Sequence, residues 1–487
     1  MPVTIFNYYL CVVLFYLKHG GQSFYLLPVI ISYIIYTLLL AKKKLIDNVS
    51  GLQIFSLLRF TVFFIVSIVF TKSHLTPAEI GAWEMFMFIA SFLSFFWVTG
   101  IIQSLLSLYN RNRSFRRLGE NISEKSPEFF NAFILLLAFS FIIFILGHLI
   151  KSNFSVYGIS GNTPYINLLL LYLFLSSPVC LIEYIYLLRG KSYRILQYGI
   201  YTFTPQLIFI LLPVMMGEGY LWSIYGLLIV SLVRWIWLII MLRRYAEWKL
   251  SPTFLREHMK LGLPLIITTL ISGSAQYIDG VIVSSYFDDP RIFAIFRYGA
   301  KEFPLVLLLA SGLSSAMLPN FGTRSRMKDA LKEIRHRSKR LMHVLFPASI
   351  VMLFFARWLY PRLFTPDFIR SADIFMIYLL LVIPRMLFPQ TIIIGRKRTR
   401  VTLWAALLEL ALNIPLSLWL VKDYGAVGVA LATFIVYLFG RILLIVYLRL
   451  EMKIKPREYI PLATFFIYTA AIILVFVLID HRIINVY

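Results

Sequence analysis

Charge is what this sequence has least of. Of its 487 residues, 14% are Asp, Glu, Lys or Arg, against about 25% in an average soluble protein. Acids are scarcer still, 23 against 47 Lys and Arg. Cysteine occurs twice, at Cys11 and Cys180, each in an apolar stretch, which argues against a disulfide framework and against a thiolate metal site. The seven histidines are scattered, with no H-E-x-x-H or comparable spacing. No G-x-x-x-x-G-K-[ST] loop occurs, so the chain does not hydrolyse nucleotide in the P-loop manner. Long hydrophilic stretches are missing too: the longest polar connections, near 109–129 and 322–341, are too short to build a catalytic core of their own.

What is present is apolar. Hydrophobic residues make up 60% of the chain and aromatics 16%, with a mean hydropathy of +0.81. Runs of about 20 apolar residues, the length of a spanning helix, recur from end to end. They predict spans near 24–41, 52–71, 83–106, 130–150, 165–187, 195–214, 221–242, 262–285, 292–318, 342–360, 372–394, 402–421, 426–448 and 460–480. Residues 4–17 fit either a span or an interfacial helix, and they lack the basic n-region and small-residue cleavage site of a signal peptide. The chain is therefore read as an all-α polytopic membrane protein with 14 or 15 spans.

The formal charge of +24 is mostly a topology signal. Connections such as "AKKKL", "YNRNRSFRRLG", "TRSRMKDALKEIRHRSKR" and "GRKRTR" all fall on one side. Together they hold 32 of the 47 Lys and Arg, against eight in the intervening connections and seven inside spans. The positive-inside rule makes that side cytoplasmic and directs the charge toward anionic membrane lipid. Nucleic acid drops out as a partner, and the expected location is a bacterial cytoplasmic membrane.

The hairpin 52–106 and the hairpin 262–318 share a plan: each helix opens after a Gly–Leu, turns through a proline ("HLTPAEIGAW", "FDDPRIFAIF") and re-enters as an aromatic-rich helix. This divides the chain into extra N-terminal helices (1–50), a six-helix lobe (51–245), a second six-helix lobe (246–450) and an extra C-terminal helix (451–487). An even number of spans per repeat relates the lobes by a pseudo-two-fold axis along the membrane normal, as in secondary transporters that bind substrate between two halves.

Three stretches carry a resemblance. They are "SLLRFTVFFIVSIVFTKSHLTPAEIGAW", "YIDGVIVSSYFDDPRIFAIFRYGAKEFPLVLLLASGLSSAMLPNF" and "TIIIGRKRTRVTLWAALLELALNIPLSLWLVKDYGAVGVALAT". In that order they resemble the opening helix, the Asp-containing seventh helix with the eighth, and the eleventh–twelfth hairpin of the polysaccharide-biosynthesis (O-antigen, Wzx-type) flippases. These belong to the multidrug/oligosaccharidyl-lipid/polysaccharide exporter superfamily. The resemblance covers about residues 50–480 and implies a flippase for a polyprenyl-pyrophosphate-linked oligosaccharide, working with other polysaccharide assembly proteins and without an enzymatic cofactor. The two N-terminal segments and the lone C-terminal helix depart from the family's usual twelve or fourteen spans.

Twelve charged residues lie within predicted spans: Arg59, Arg234, Arg297, Lys301, Arg357, Arg385, Arg441, Glu84, Glu183, Asp279, Glu302 and Glu409. A charge at such depth needs a partner or a bound ion, because hydrocarbon does not solvate it. On the helix expected over 292–318, Arg297 and Lys301 share a face with Pro304, Leu308, Ser311 and Ser315. Thr268, Ser272, Gln276 and Asp279 align likewise, as do Gln53, Ser56 and Arg59, so three polar faces point to a hydrated cavity. Lys301, Arg297, Arg385 and Arg59 are the candidate substrate-binding cations. Arg234, Arg357 and Arg441 lie nearer helix ends and are read as snorkelling to the interface. Asp279 and Glu302 either balance Arg297 and Lys301 or hold a coupling ion, H⁺ or Na⁺. Glu84 and Glu183 are read as helix-end acids, and Glu409 with Asn413 as a helix–helix contact.

Excess cations match a pyrophosphate head group. An ion-coupled exporter of cationic drugs would instead favour acids and aromatics, and it remains the alternative. A membrane glycosyltransferase or polymerase would need a sizeable outer loop and is disfavoured.

Overall fold

The computed structural model describes residues 48–116, 125–150, 165–321, 327–396 and 398–480. The expected helices at 4–17 and 24–41 lie outside these. The described residues are helical almost throughout. The first half comprises α1 (Asn48–Thr71), α2 (Pro77–Arg116), α3 (Pro127–Ile150), α4 (Tyr165–Val179) continuing into α5 (Leu181–Leu188), α6 (Ser192–Met215) and α7 (Tyr220–Tyr245). The second comprises α8 (Pro252–Phe287), α9 (Pro290–Gly299), α10 (Pro304–Met317), α11 (Met327–Leu363), α12 (Ile369–Leu380), α13 (Val382–Arg385), α14 (Pro389–Gly395), α15 (Thr399–Tyr424) and α16 (Ala426–Leu450). A short α17 (Pro456–Tyr459) and an apolar α18 (Leu462–Asp480) follow. Among the described residues ten helices are long and apolar enough to cross a membrane, or twelve when each of two bent pairs counts as one.

The helix starts follow local chemistry. At α2 the Glu79 carboxylate accepts from the Thr76 backbone N–H (2.9 Å) while Thr76 Oγ1 accepts from the Glu79 N–H (3.3 Å), a capping box with proline at the first helical position. At α9 the Asp289 carboxylate accepts from the Arg291 N–H (2.8 Å), again ahead of a proline. The chain reaches that cap through Asp288 in the left-handed region (φ 48°), where a short polar side chain is tolerated.

Two predicted spans are broken ahead of a proline. The segment expected as one helix at 292–318 stops at Gly299 and restarts at Pro304. The residue before a proline is driven out of the helical region, and Phe303 accordingly takes φ −61°, ψ 110°. The common face expected from Arg297 through Ser315 is therefore broken at Ala300–Phe303. The segment expected at 372–394 is interrupted in the same way, its two limbs meeting at 48° ahead of Pro389.

In the first half α1 packs on α6, α3 on α4, and α7 on both α4 and α6. In the second, α15 packs on α8 and α16, α12 on α9, α11 and α16, and α18 lies along α11. The halves meet chiefly where α2 runs along α8 and α9. Glycine permits that approach: a Cβ at Gly81 would overlap the Pro290 backbone, and one at Gly280 would overlap the Phe88 ring. On the other flank, the ends of α1 and α11 far from the basic connections touch through Phe64 and Phe364 (ring centroids 6.4 Å apart). Toward the basic end the same flank opens into a 560 Å³ apolar groove bordered by Leu57, Leu308, Leu313, Arg337 and Arg340.

Candidate functional site

The site is organised by the break between α9 and α10. Lys301 and Glu302 sit in it consecutively, and without a helix between them their side chains diverge. Lys301 Nζ donates to Ser67 Oγ on α1 (2.9 Å) and lies 4.6 Å from the Tyr298 ring centre. Glu302 turns into the second half and accepts both arms of the Arg385 guanidinium, at 2.7 and 3.1 Å. One turn earlier, Arg297 lies 3.7 Å from the Glu84 carboxylate on α2 and over the Phe88 ring. The two cations that a continuous helix would stack on one face thus reach the first half by separate routes.

Glu84 is buried and partners Arg297, so it is more than a helix-end acid. Arg59 is exposed on α1, and Tyr277 of α8 lies within Coulomb range of both Arg59 and Arg297. Arg59 and Arg297 thus both act on the same face of α8. Gln53 and Ser272, expected on the same polar faces, have side chains outside the described ones.

Asp279 is 5% exposed and touches neither Arg297 nor Lys301, so charge balance of those two is not its role here. Its carboxylate accepts from Thr433 Oγ1 (2.6 and 2.7 Å), from Tyr378 OH (2.7 Å) and more distantly from Asn413 Nδ2 (3.4 Å). Asn413 in turn donates to Thr433 (3.0 Å) and accepts from Ser417 (2.6 Å). Three helices, α12, α15 and α16, thus each bring a donor to this one carboxylate. Glu302, by contrast, is a charge-balancing residue, with Arg385 rather than the expected partners.

Beside Asp279 the second half encloses a chamber of about 500 Å³. Its walls include Arg385, Glu302, Glu409, Gln390, Tyr437 and Arg441. Arg441 donates to Gln390 Oε1 (2.6 Å) and to the Tyr437 hydroxyl (2.5 Å), while its buried Nε has no acceptor. Both guanidinium groups lie within 5 Å of the Tyr437 ring centre, at 4.9 and 4.5 Å.

The first half repeats this arrangement. Arg234 donates to Gln206 Oε1 (2.6 Å), lies over the Phe203 ring, and also leaves its buried Nε without an acceptor. Glu183 lies within Coulomb range of both Arg59 and Arg234. Arg234 and Arg441, expected to snorkel, are instead interior groups at matching places in α7 and α16. Arg357 does not snorkel either: it is held by Asp373 at 3.0 Å. Hydropathy alone hides such groups, since depth counted from a helix end says nothing about which neighbour faces the residue. Gln206 and Gln390, uncharged, gave no signal at all.

Together, two six-helix halves that meet around cations, with a carboxylate buried in one half and no large extramembrane domain among the described residues, define a two-lobed helical membrane fold. Solved structures share it. The model superposes on "Lipid II flippase MurJ, inward closed conformation" with a TM-score of 0.65 at 18% identity, covering 89% of this chain and 93% of that one. It superposes on an inward-facing multidrug resistance transporter of the MATE family with a TM-score of 0.60 at 15% identity (80% and 94%). It also superposes on a transporter of the same superfamily from Pyrococcus furiosus, TM-score 0.53 at 14% identity (84% and 96%), whose reported binding pocket has reversed polarity. A sequence search of curated proteins finds no match. The family model described as "Polysaccharide biosynthesis protein" matches residues 74–373, and the chain belongs to that family.

Proposed function

We propose that this protein is a flippase that carries a polyprenyl-pyrophosphate-linked oligosaccharide from the cytoplasmic to the outer leaflet by alternating access. The observation that carries the reading is the excess of cations where the lobes meet: Arg59, Arg297 and Lys301 stand against two acids, Glu84 paired with Arg297 and Glu183 near Arg59. Guanidinium and ammonium groups at a partly desolvated surface match a pyrophosphate and oppose an organic cation. The positive-inside rule puts the basic end in the cytoplasm. Contacts of Lys301 with Ser67, of Arg297 with Glu84 and of Phe64 with Phe364 then close the outer side, and the groove between α1 and α10 opens inward beside the bilayer. Family membership in polysaccharide biosynthesis and a lipid-flippase fold neighbour support the same substrate class. Asp279 serves as the coupling site, taking H⁺ or Na⁺ among Thr433, Tyr378 and Asn413.

The direct test is deletion of the gene in its host, followed by extraction of lipid-linked glycans from the two leaflets. Accumulation of one polyprenyl-pyrophosphate glycan on the cytoplasmic face is expected. Unchanged glycan distribution, with lost resistance to cationic drugs, would identify a drug exporter instead.

A further inference from the structure

The chamber in the second lobe differs in character from the cationic space beside it. Its four charged groups cancel, Arg385 and Arg441 against Glu302 and Glu409. What faces the interior is a dense set of hydrogen-bonding groups: the amides of Gln276 and Gln390, the hydroxyls of Thr268 and Thr402, and the carboxylate of Glu409. A dianionic pyrophosphate gains little from a balanced chamber, and an organic cation gains nothing from its guanidinium groups. A neutral ligand with many hydroxyls fits, because planar carboxylate, amide and guanidinium groups each engage neighbouring hydroxyls in pairs, and a few such groups set specificity in a pocket of this size.

Position adds a second argument. Lys301 and Glu302 are consecutive; the first reaches Ser67 at the interface and the second lines the chamber. The chamber and the cationic surface thus flank the same break between α9 and α10. In a glycosyl pyrophosphate the first sugar is bonded directly to the phosphate, so the two recognition sites must adjoin.

We infer that the chamber lined by Gln390, Glu409 and Arg441 is a carbohydrate subsite that receives the sugar proximal to the pyrophosphate, and that substrate selection among lipid-linked glycans occurs there. This rests on the flippase reading, and the experiment separates the two.

The purified protein is titrated with undecaprenyl pyrophosphate and with the lipid-linked oligosaccharide extracted from the deletion host, and binding is read by native mass spectrometry. Wild type should bind the glycosylated lipid about tenfold tighter than the bare one. Gln390→Ala should bring the two affinities together while leaving that for the bare lipid unchanged. Because Gln390 also supports Arg441, Thr402→Ala is measured alongside; it removes a chamber hydroxyl without touching that pair and should reduce the preference about threefold. An Arg297→Ala, Lys301→Ala double variant should weaken both lipids equally and keep the preference. Equal wild-type binding of the two lipids, or a preference that survives both chamber variants, overturns the subsite but leaves the flippase reading intact. Failure of wild type to bind either lipid overturns both.

Discussion

Lys301 and Glu302 are neighbours in the chain with opposite allegiances, one bonded to Ser67 and the other to Arg385. If Lys301 supplies positive charge to a pyrophosphate, the sign of the side chain matters more than its shape. Lys301→Arg should keep part of the export and Lys301→Ala should lower it roughly tenfold, about 1.4 kcal/mol in the transport barrier. Lys301→Glu should abolish it. Protein abundance is measured in parallel, since removing one member of a buried charged set destabilises the rest. Normal export by a well-expressed Arg297→Ala, Lys301→Ala variant would rule out the anion surface. Asp279→Asn addresses coupling. The amide brings its own N–H toward Thr433 and Asn413, which already donate, and cannot replace the carboxylate as a cation ligand. In proteoliposomes, wild-type flux should rise with an imposed Na⁺ or proton gradient and the variant's should not; a variant that still responds would place coupling elsewhere. The charges themselves were legible in the sequence, because an Arg or Asp inside an apolar run stands out. Their partners were not. Lys301 and Ser67 are separated by 234 positions, Asp279 and Thr433 by 154, and no periodicity links residues across such a distance.

At the level of elements, the helices themselves were largely readable from their apolar runs, but their starts were not: α2 begins at Pro77 rather than at the expected 83, because its T-P-A-E cap lies outside the apolar run. The breaks were missed for a physical reason: a helical face extrapolates through Ala300–Phe303 without any loss of hydropathy, and only Pro304 signals the interruption. That interruption is what sends Lys301 and Glu302 to different lobes. The α2–α9 seam gives a stability prediction. A Cβ at Gly81 falls on the Pro290 backbone, which cannot rotate away as a side chain could. Gly81→Ala should therefore destabilise by about 1–3 kcal/mol, the usual effect of overpacking, seen as an earlier unfolding midpoint of the detergent-solubilised protein. Gly312→Ala is the control. Its Cβ meets nothing within 4 Å, and in a helix interior the exchange is worth up to about 1 kcal/mol in the stabilising direction. Equal midpoints for the two variants would mean that the seam is looser than described.

For the whole molecule, orientation and motion are the two properties that make a flippase. Orientation is tested with single cysteines in a background where Cys11 and Cys180 are replaced. A Lys328→Cys variant should resist impermeant thiol reagents in intact cells, and an Asp288→Cys variant in the turn before α9 should label; the reverse would invert the direction of transport. Motion is tested at the closed end. Phe64 and Phe364 belong to different lobes and touch there, and because Phe364 also packs on Tyr298, the ring beneath Lys301, the untreated double variant is first compared with wild type for binding. If the lobes rock, the outer ends of α1 and α11 must separate once per cycle to release a glycan, and a short link between positions 64 and 364 must hold the inward-open form. A Phe64→Cys, Phe364→Cys variant should therefore transport before treatment, stop when joined by a reducible bifunctional thiol reagent, and recover on reduction. Either single variant, treated alike, should continue. The linked protein should still bind the lipid-linked oligosaccharide from the cytoplasmic side, since the groove bordered by Leu57 and Leu313 stays open. A link that forms to completion while export proceeds at the normal rate would show that substrate crosses without separation of these ends, and alternating access by lobe rocking would have to be abandoned.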